Sequence, residues 1–283
     1  MRITRNNMII MGMLLWFSPL ISVAQPDDSN QNERIIANSK MIGWGRTNLL
    51  DTYLSPEEYV GLDLRYISHT LRKRRNSHVI HELIHQGNIA YVDNRARNGR
   101  EIAGNYNFQF GLHYLFKTWN LSRNQLHFEA GGNAEVNLGF LYNTRNSNNP
   151  AQARLFINVV PTAALTYDFH HPFRPSEYRD FRLRYELGVP LIGLRFSPNY
   201  GQSYYEIFSK DNYDHNLVPT TIGNAPSLRQ MLTLDFPLFH AVFRIGYQGE
   251  YLQAHINKLK FHAYTNTLLL GVTKTFKLTR VRR

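Results

Sequence analysis

Apolar and polar positions alternate with period two along most of the chain. From Ile102 the even positions run Ile102, Gly104, Tyr106, Phe108, Phe110, Leu112, Tyr114, Phe116, while the odd positions include Asn105, Asn107, Gln109, His113 and Lys117. Successive side chains of a strand point to opposite faces, so the segment predicts a strand with one aromatic and one polar face. Leu126 to Tyr142 repeats the pattern with Glu129, Asn133 and Glu135 opposite, and the tight connection Asn120 to Arg123 makes the two a hairpin. Leu155 to Phe169, Phe181 to Val189, Leu232 to Phe236, Phe243 to Tyr251 and Tyr264 to Phe276 alternate in the same way. Pro190 interrupts one of them, which predicts a bulge or kink. Val60, Leu62, Leu64 and Tyr66 alternate acceptably; residues 34–48 and 77–92 do so poorly. The pattern predicts an all-β chain of about ten strands, between eight and twelve, with Ser203 to Phe208 as a possible further hairpin.

Connections alternate between short (near 72–77, 119–124 and 237–240) and long (49–58, 93–101, 143–152 and 199–226). Two connections fit less well: 170–180 is long for a turn, and the one after 256 is short for a loop. Short periplasmic turns, long outer loops and an aromatic outer face describe a single antiparallel transmembrane β-barrel over residues 34–278. A soluble β-sandwich would also alternate, but it would have loops of similar length at both ends and fewer large aromatics on one face.

Residues 1–24 read as a cleavable signal peptide: Arg2 and Arg5, an apolar run from Met8 to Ile21, then Ser22-Val23-Ala24. A flexible segment (25–33) and a basic tail (279–283) flank the barrel. The signal places the mature chain beyond the inner membrane and, with the barrel, in the outer membrane. No cysteine is present, which excludes disulfides and a cysteine-linked lipid anchor. After the signal no apolar run approaches the ~18 residues of a membrane helix. Aromatics make up 13% of residues, rich for a soluble domain and usual for a barrel with aromatic girdles. The formal charge of +11 points to anionic lipid head groups and not to nucleic acid, which an exported protein rarely meets. Expected partners are outer-membrane lipids, lipopolysaccharide and, during biogenesis, the barrel-assembly machinery.

The polar face carries balanced charge: Lys117, Arg154, Arg182, Arg184, Arg229 and Arg244 against Glu129, Glu135, Asp168, Glu186, Asp235 and Glu250. A barrel of about ten strands has a narrow lumen, and buried charges must pair, so these twelve residues predict a network that plugs it. A polar conduit is the alternative.

His81-Glu82-Leu83-Ile84-His85 matches H-E-x-x-H. On a helix the two histidines would hold zinc and the glutamate would act as base. Ser77 could cap such a helix and Gly87 stop it. In a strand, Glu82 would point away from both histidines. Gly87 and Tyr91 do not supply the downstream glycine and third histidine of one zinc family, and Glu101 lies too near to be the distant ligand of another. The match reads as coincidental. The His-x-Ser of outer-membrane lipid hydrolases is absent, and Asp214-His215 lacks the spacer of the barrel proteases' Asp-x-His. No catalytic, cofactor or metal residue is expected; a hydrolase at the barrel rim is the remaining enzymatic alternative. Arg72-Lys73-Arg74-Arg75 falls in a predicted periplasmic turn, where it would meet lipid phosphates or the cell wall, or stay solvated. Arg95, Arg97 and Arg100 fall in a predicted outer loop, where they would contact lipopolysaccharide phosphates.

Long stretches resemble a family of exported proteins of unknown function from gut-dwelling Gram-negative bacteria: Gly43 to Pro56, Asn146 to Ala153, Phe196 to Ser209 and Pro226 to Asp235. The resemblance covers nearly the whole mature chain and implies no catalytic residues. Three of these stretches fall in predicted outer loops, so Asn146, Asn148, Asn149, Tyr204, Tyr205 and Glu206 are candidate recognition residues, or residues that pack the loops together.

Overall fold

The computed structural model describes residues 33–170, 180–238 and 241–278. The signal peptide, most of the 25–33 segment and the basic tail lie outside the described residues.

The strands are β1 (Arg34–Asp51), β2 (Tyr59–Arg74), β3 (Val79–Asn94), β4 (Arg100–Leu121), β5 (Asn124–Asn143), β6 (Ala151–Ala153), β7 (Phe156–His170), β8 (Asp180–Gly188), β9 (Ile192–Phe196), β10 (Leu217–Thr221), β11 (Leu228–Leu238), β12 (Ala241–Ile256) and β13 (Leu259–Leu278); one short helix, α1, spans Tyr204–Ser209. β1 pairs with β13 and β5 pairs with β7, so the sheet closes into a ten-strand antiparallel barrel. The count is ten because β6, β9 and β10 prolong β7, β8 and β11 across breaks. The break between β8 and β9 holds Pro190, which has no amide hydrogen for the ladder.

Both described ends of the barrel, Arg34 and Leu278, lie side by side. The turns 75–78 and 122–123 lie at this turn end. The connections 52–58, 95–99, 144–150 and 197–216 lie at the opposite, loop end. The connection after β12 is at the loop end although it has only two residues, Asn257 and Lys258. Both adopt left-handed φ (52° and 63°), the geometry whose twist matches a tight hairpin.

The outer wall carries large apolar side chains left exposed, such as Ile42, Leu64, Leu112, Leu138, Ile157, Leu194, Ile245 and Leu270. Tyr91 and Tyr142 stand toward the loop end and Tyr114 toward the turn end. The belt suits acyl chains with aromatic side chains at the two interfaces. No described helix is long and apolar enough to cross a membrane.

Residues 34–48 and 77–92 are full strands despite their weak alternation. β1 turns Asn38, Lys40, Arg46 and Asn48 outward and Met41 and Leu49 inward; β3 turns His81 and His85 outward and Ile80, Ile84, Ala90 and Val92 inward. The inside of this barrel has apolar layers, so an inward residue need not be polar. One local expectation is corrected. Ser203 to Phe208 is not a hairpin: Ser203 caps α1 and accepts from the Glu206 amide, while the Glu206 carboxylate accepts from the Ser203 amide. His81 to His85 lie in strand β3, the alternative in which Glu82 points away from both histidines.

Candidate functional site

Among the described residues the lumen gathers most of the buried ionisable side chains, and it is built in layers.

At the loop end the layer is largely apolar, with Asp51, Glu101 and Arg154 buried among its side chains. Leu49, Leu54, Tyr59, Val92, Leu141, Phe156 and Phe261 belong to one buried cluster. Arg154 and Arg195 lie over the Phe261 ring at 4.6 and 4.2 Å. Connections bond to one another above it. Tyr53 donates to the Gln202 carbonyl (3.0 Å), Asn146 donates to the Leu54 carbonyl (2.9 Å), and Asn257 donates to the Ser197 and His215 carbonyls. The Tyr204 hydroxyl donates to Gln152 and accepts from the Ala153 amide, and its ring packs edge-on against Tyr53. Burial, with the charge of Asp51 next, pushes the Tyr53 hydroxyl up to about 12. Burial likewise raises Tyr204, so both phenols stay protonated donors.

Below lies a layer of ions. Arg65 on β2 donates to Asp63 (3.1 Å), Gln248 (3.1 Å) and Glu250 (2.9 Å). Arg229 on β11 donates to the other Glu250 oxygen at 2.9 Å and pairs with Glu135 on β5. Glu135 also accepts from Asn107 and Asn158. Gln248 donates to Gln86 at 2.8 Å. The chain of contacts thus crosses from β2 through β12 and β11 to β5, from one side of the barrel to the other. Such pairs hold because each charge has both a counter-charge and further hydrogen bonds.

A second ionic layer follows toward the turn end. Glu82, fully buried, lies 2.7 Å from His69 Nε2 and accepts from Asn133 Nδ2 at 3.1 Å, with His113 Nε2 at 3.3 Å. Arg184 holds Glu129 and Glu186 together. Met41, Ile67, Ile84, Met231 and Leu269 form a small apolar cluster inside the same lumen. Toward the turn end the lumen widens into a vestibule of about 420 Å³ whose wall includes His69, Arg184, Asp235 and Arg244. Arg244 grips Asp235 through both oxygens (2.5 and 2.6 Å), and Arg182 grips Asp168 (2.7 and 3.0 Å).

One group among the described residues has metal-ligand proximity. His69, Glu82 and Glu186 each bring an atom within 4.8 Å of the others. Arg184 sits 2.9 Å from Glu186, and a dication there would face that guanidinium, so the donor set fits an ion-pair network better than a metal. The H-E-x-x-H residues do not converge: His81 and His85 point outward and Glu82 points into the lumen, as period two requires. His85 Nδ1 lies 2.7 Å from the Tyr106 hydroxyl.

Of the twelve lumen residues read from the sequence, the structure turns eleven inward: Glu129, Glu135, Arg154, Asp168, Arg182, Arg184, Glu186, Arg229, Asp235, Arg244 and Glu250. Lys117 is a correction. Register shifts between Leu115 and Lys117, a bulge that reverses which face follows, and Lys117 lies exposed over the Trp119 ring at 5.3 Å. Asp63, Arg65, His69 and Glu82 were missed. The alternation of Leu62, Leu64 and Tyr66 was the signal that placed Asp63 and Arg65 on the inner face.

The loop residues serve each other. Asn146 accepts from the Asn148 and Asn149 amides, and Glu206 is held low by its hydrogen bond from the Ser203 amide. Tyr205 is exposed beneath Lys210. Arg95 and Arg97 are exposed; Arg100 donates to Asp93 and lies 4.4 Å over the Tyr91 ring.

The family model described as "Protein of unknown function (DUF3316)" matches residues 8–283. No curated protein matches the chain. Among solved structures, the transport unit of the autotransporter AIDA-I from Escherichia coli is similar over 98% of this chain and 98% of its own, at 7% identity and a TM-score of 0.44. The outer membrane protease OmpT from Escherichia coli is similar over 90% of this chain and 100% of its own, at 8% identity and 0.41. The outer membrane protein OprG from Pseudomonas aeruginosa is similar over 89% of this chain and 98% of its own, at 11% identity and 0.27. At these scores the likenesses carry no reading of activity.

Proposed function

We propose for this chain, which belongs to the DUF3316 family, that it is a sealed, non-enzymatic outer-membrane barrel that presents an interlocked set of loops at the cell surface. The observation that carries this reading is the ion layer Arg65–Glu250–Arg229–Glu135, which crosses the lumen beneath an apolar layer. A wall that is apolar outside and a lumen filled by paired side chains suit a scaffold or a binding platform better than a pore. Short turns face the periplasm and the bonded loops face outward. Arg95 and Arg97 are exposed at the loop end, which supports their contact with lipopolysaccharide phosphates in this reading.

A narrow conduit for a small polar solute is the second reading, and the vestibule of about 420 Å³ favours it. It requires a path past both the ion layer and the apolar layer.

Orientation is testable because the chain has no cysteine. In whole cells an impermeant maleimide is expected to label Ser147→Cys, in the connection 144–150, and to spare Asn76→Cys, in the turn 75–78, until the outer membrane is permeabilised. Labelling of Asn76→Cys alone in intact cells would reverse the orientation; labelling of neither until permeabilisation would remove the surface exposure.

A further inference from the structure

The outward face at the turn end holds an arrangement that the sealed lumen does not explain. Arg34 on β1 and Arg74 on β2 are directly opposed in the ladder, and Arg72 stands opposite Ile36 one step further up. All three arginines are exposed. Like charges directly opposite each other on one face destabilise a sheet. Among the described residues none of the three has an acid within ion-pair distance; the neighbouring Glu33 is engaged by Arg75 at 2.9 Å.

Beside these arginines the wall is concave. A cavity of about 510 Å³ opens outward, its lining including Arg34, Ile36, Arg72, Arg74, Leu83 and Phe110. The outward position between Asn38 and Leu83 is small: Thr70 stands between them in the ladder and receives a hydrogen bond from Asn38. Toward the membrane the surface is apolar and toward the periplasm it is cationic. Tyr114, stacked on His78 at 5.7 Å, marks the interface on the neighbouring strand. Guanidinium groups match phosphate in a forked geometry that lysine does not reproduce, and all three residues are arginine.

We infer that Arg34, Arg72 and Arg74 clamp the phosphate of an anionic diacyl phospholipid in the periplasm-facing leaflet, with its acyl chains along Ile36, Leu83 and Phe110. The leaflet assignment rests on the orientation proposed above; the phosphate contact itself does not. The phosphate relieves the opposed arginine pair, and the acyl chains fill the concave apolar wall.

Native mass spectrometry of the mature chain in detergent tests this, with phosphatidylglycerol, phosphatidylcholine and inorganic phosphate as separate probes. One phosphatidylglycerol is expected to stay bound at activation that strips phosphatidylcholine. The double variant Arg72→Gln/Arg74→Gln should lower that retention about tenfold, the scale of losing charge-assisted hydrogen bonds to phosphate. Arg95→Gln/Arg97→Gln, at the other end, should leave it unchanged. Heat modifiability on a gel confirms that each variant still folds. Equal retention of the two lipids, no loss in the double variant, or displacement by millimolar inorganic phosphate overturns the lipid site. Retention as expected, combined with Asn76→Cys labelled from outside intact cells, overturns the leaflet assignment and the orientation while the phosphate contact stands.

Discussion

Arg65→Met is expected to lower the unfolding free energy of the refolded barrel by about 3–5 kcal/mol, the range for removing one partner of a buried ion pair. Arg65 is 3% exposed and is the contact shared by Asp63, Gln248 and Glu250. Methionine fills much of the volume but offers no charge. Glu250 keeps Arg229, whereas Asp63 keeps only the hydrogen bond from Asn88 at 2.7 Å. Adding Asp63→Asn should therefore return part of the loss, because an amide needs no counter-charge. Urea unfolding of the barrel in lipid vesicles measures both. A loss below about 1 kcal/mol, the scale of an exposed pair, would mean that the layer is hydrated.

Glu82→Ala should be comparably severe, again about 3–5 kcal/mol, because it strips the acceptor shared by His69 and Asn133 and leaves His113 facing a void. His81→Ala and His85→Ala should each shift stability by less than about 1 kcal/mol, since neither side chain enters the lumen. The contrast separates a lumen network from a zinc site, in which the three residues would act together. Treatment with a chelator should leave the unfolding midpoint of the parent protein unmoved. A chelator-sensitive midpoint would assign a metal to His69, Glu82 and Glu186.

How much of this was legible in the sequence depended on which face carried the contrast. β4 and β5 were readable because apolar side chains, aromatic on most of β4, face outward along almost their whole length while Asn107, Gln109, Asn133 and Glu135 face inward. β1 and β3 were hard to read for the opposite reason. Lys40, Arg46, His81 and His85 lie on the outside, and Met41, Ile84 and Val92 fill the inside. Period two survives there, but hydropathy no longer reports it. Eleven inward charges followed from alternation alone. Lys117 did not, because a one-residue bulge cannot be seen in a pattern that assumes continuous pairing. In the second ion layer, Glu82 was hidden in β3, whose alternation was weak, and His69 lay on β2 beyond the run Val60 to Tyr66, whereas His113 already stood on the polar face of β4. Pro190 correctly marked the break in the wall, because the missing amide hydrogen acts locally. The loop geometry was only partly visible. Ser203 and Glu206 form a capping box at sequence level, but the contacts of Tyr53 with Gln202 and Tyr204 join segments about 150 residues apart.

The seal is the centre of the account, and single-channel recording tests it directly. The mature chain, refolded and inserted in a planar bilayer, should show no stable conductance steps above the bare membrane. Arg229→Ala/Glu250→Ala, which empties the middle of the ion layer, should still be held by the apolar layer above it and conduct at most in brief openings. Sustained, uniform steps from the parent protein would contradict the sealed barrel and establish the conduit in its place.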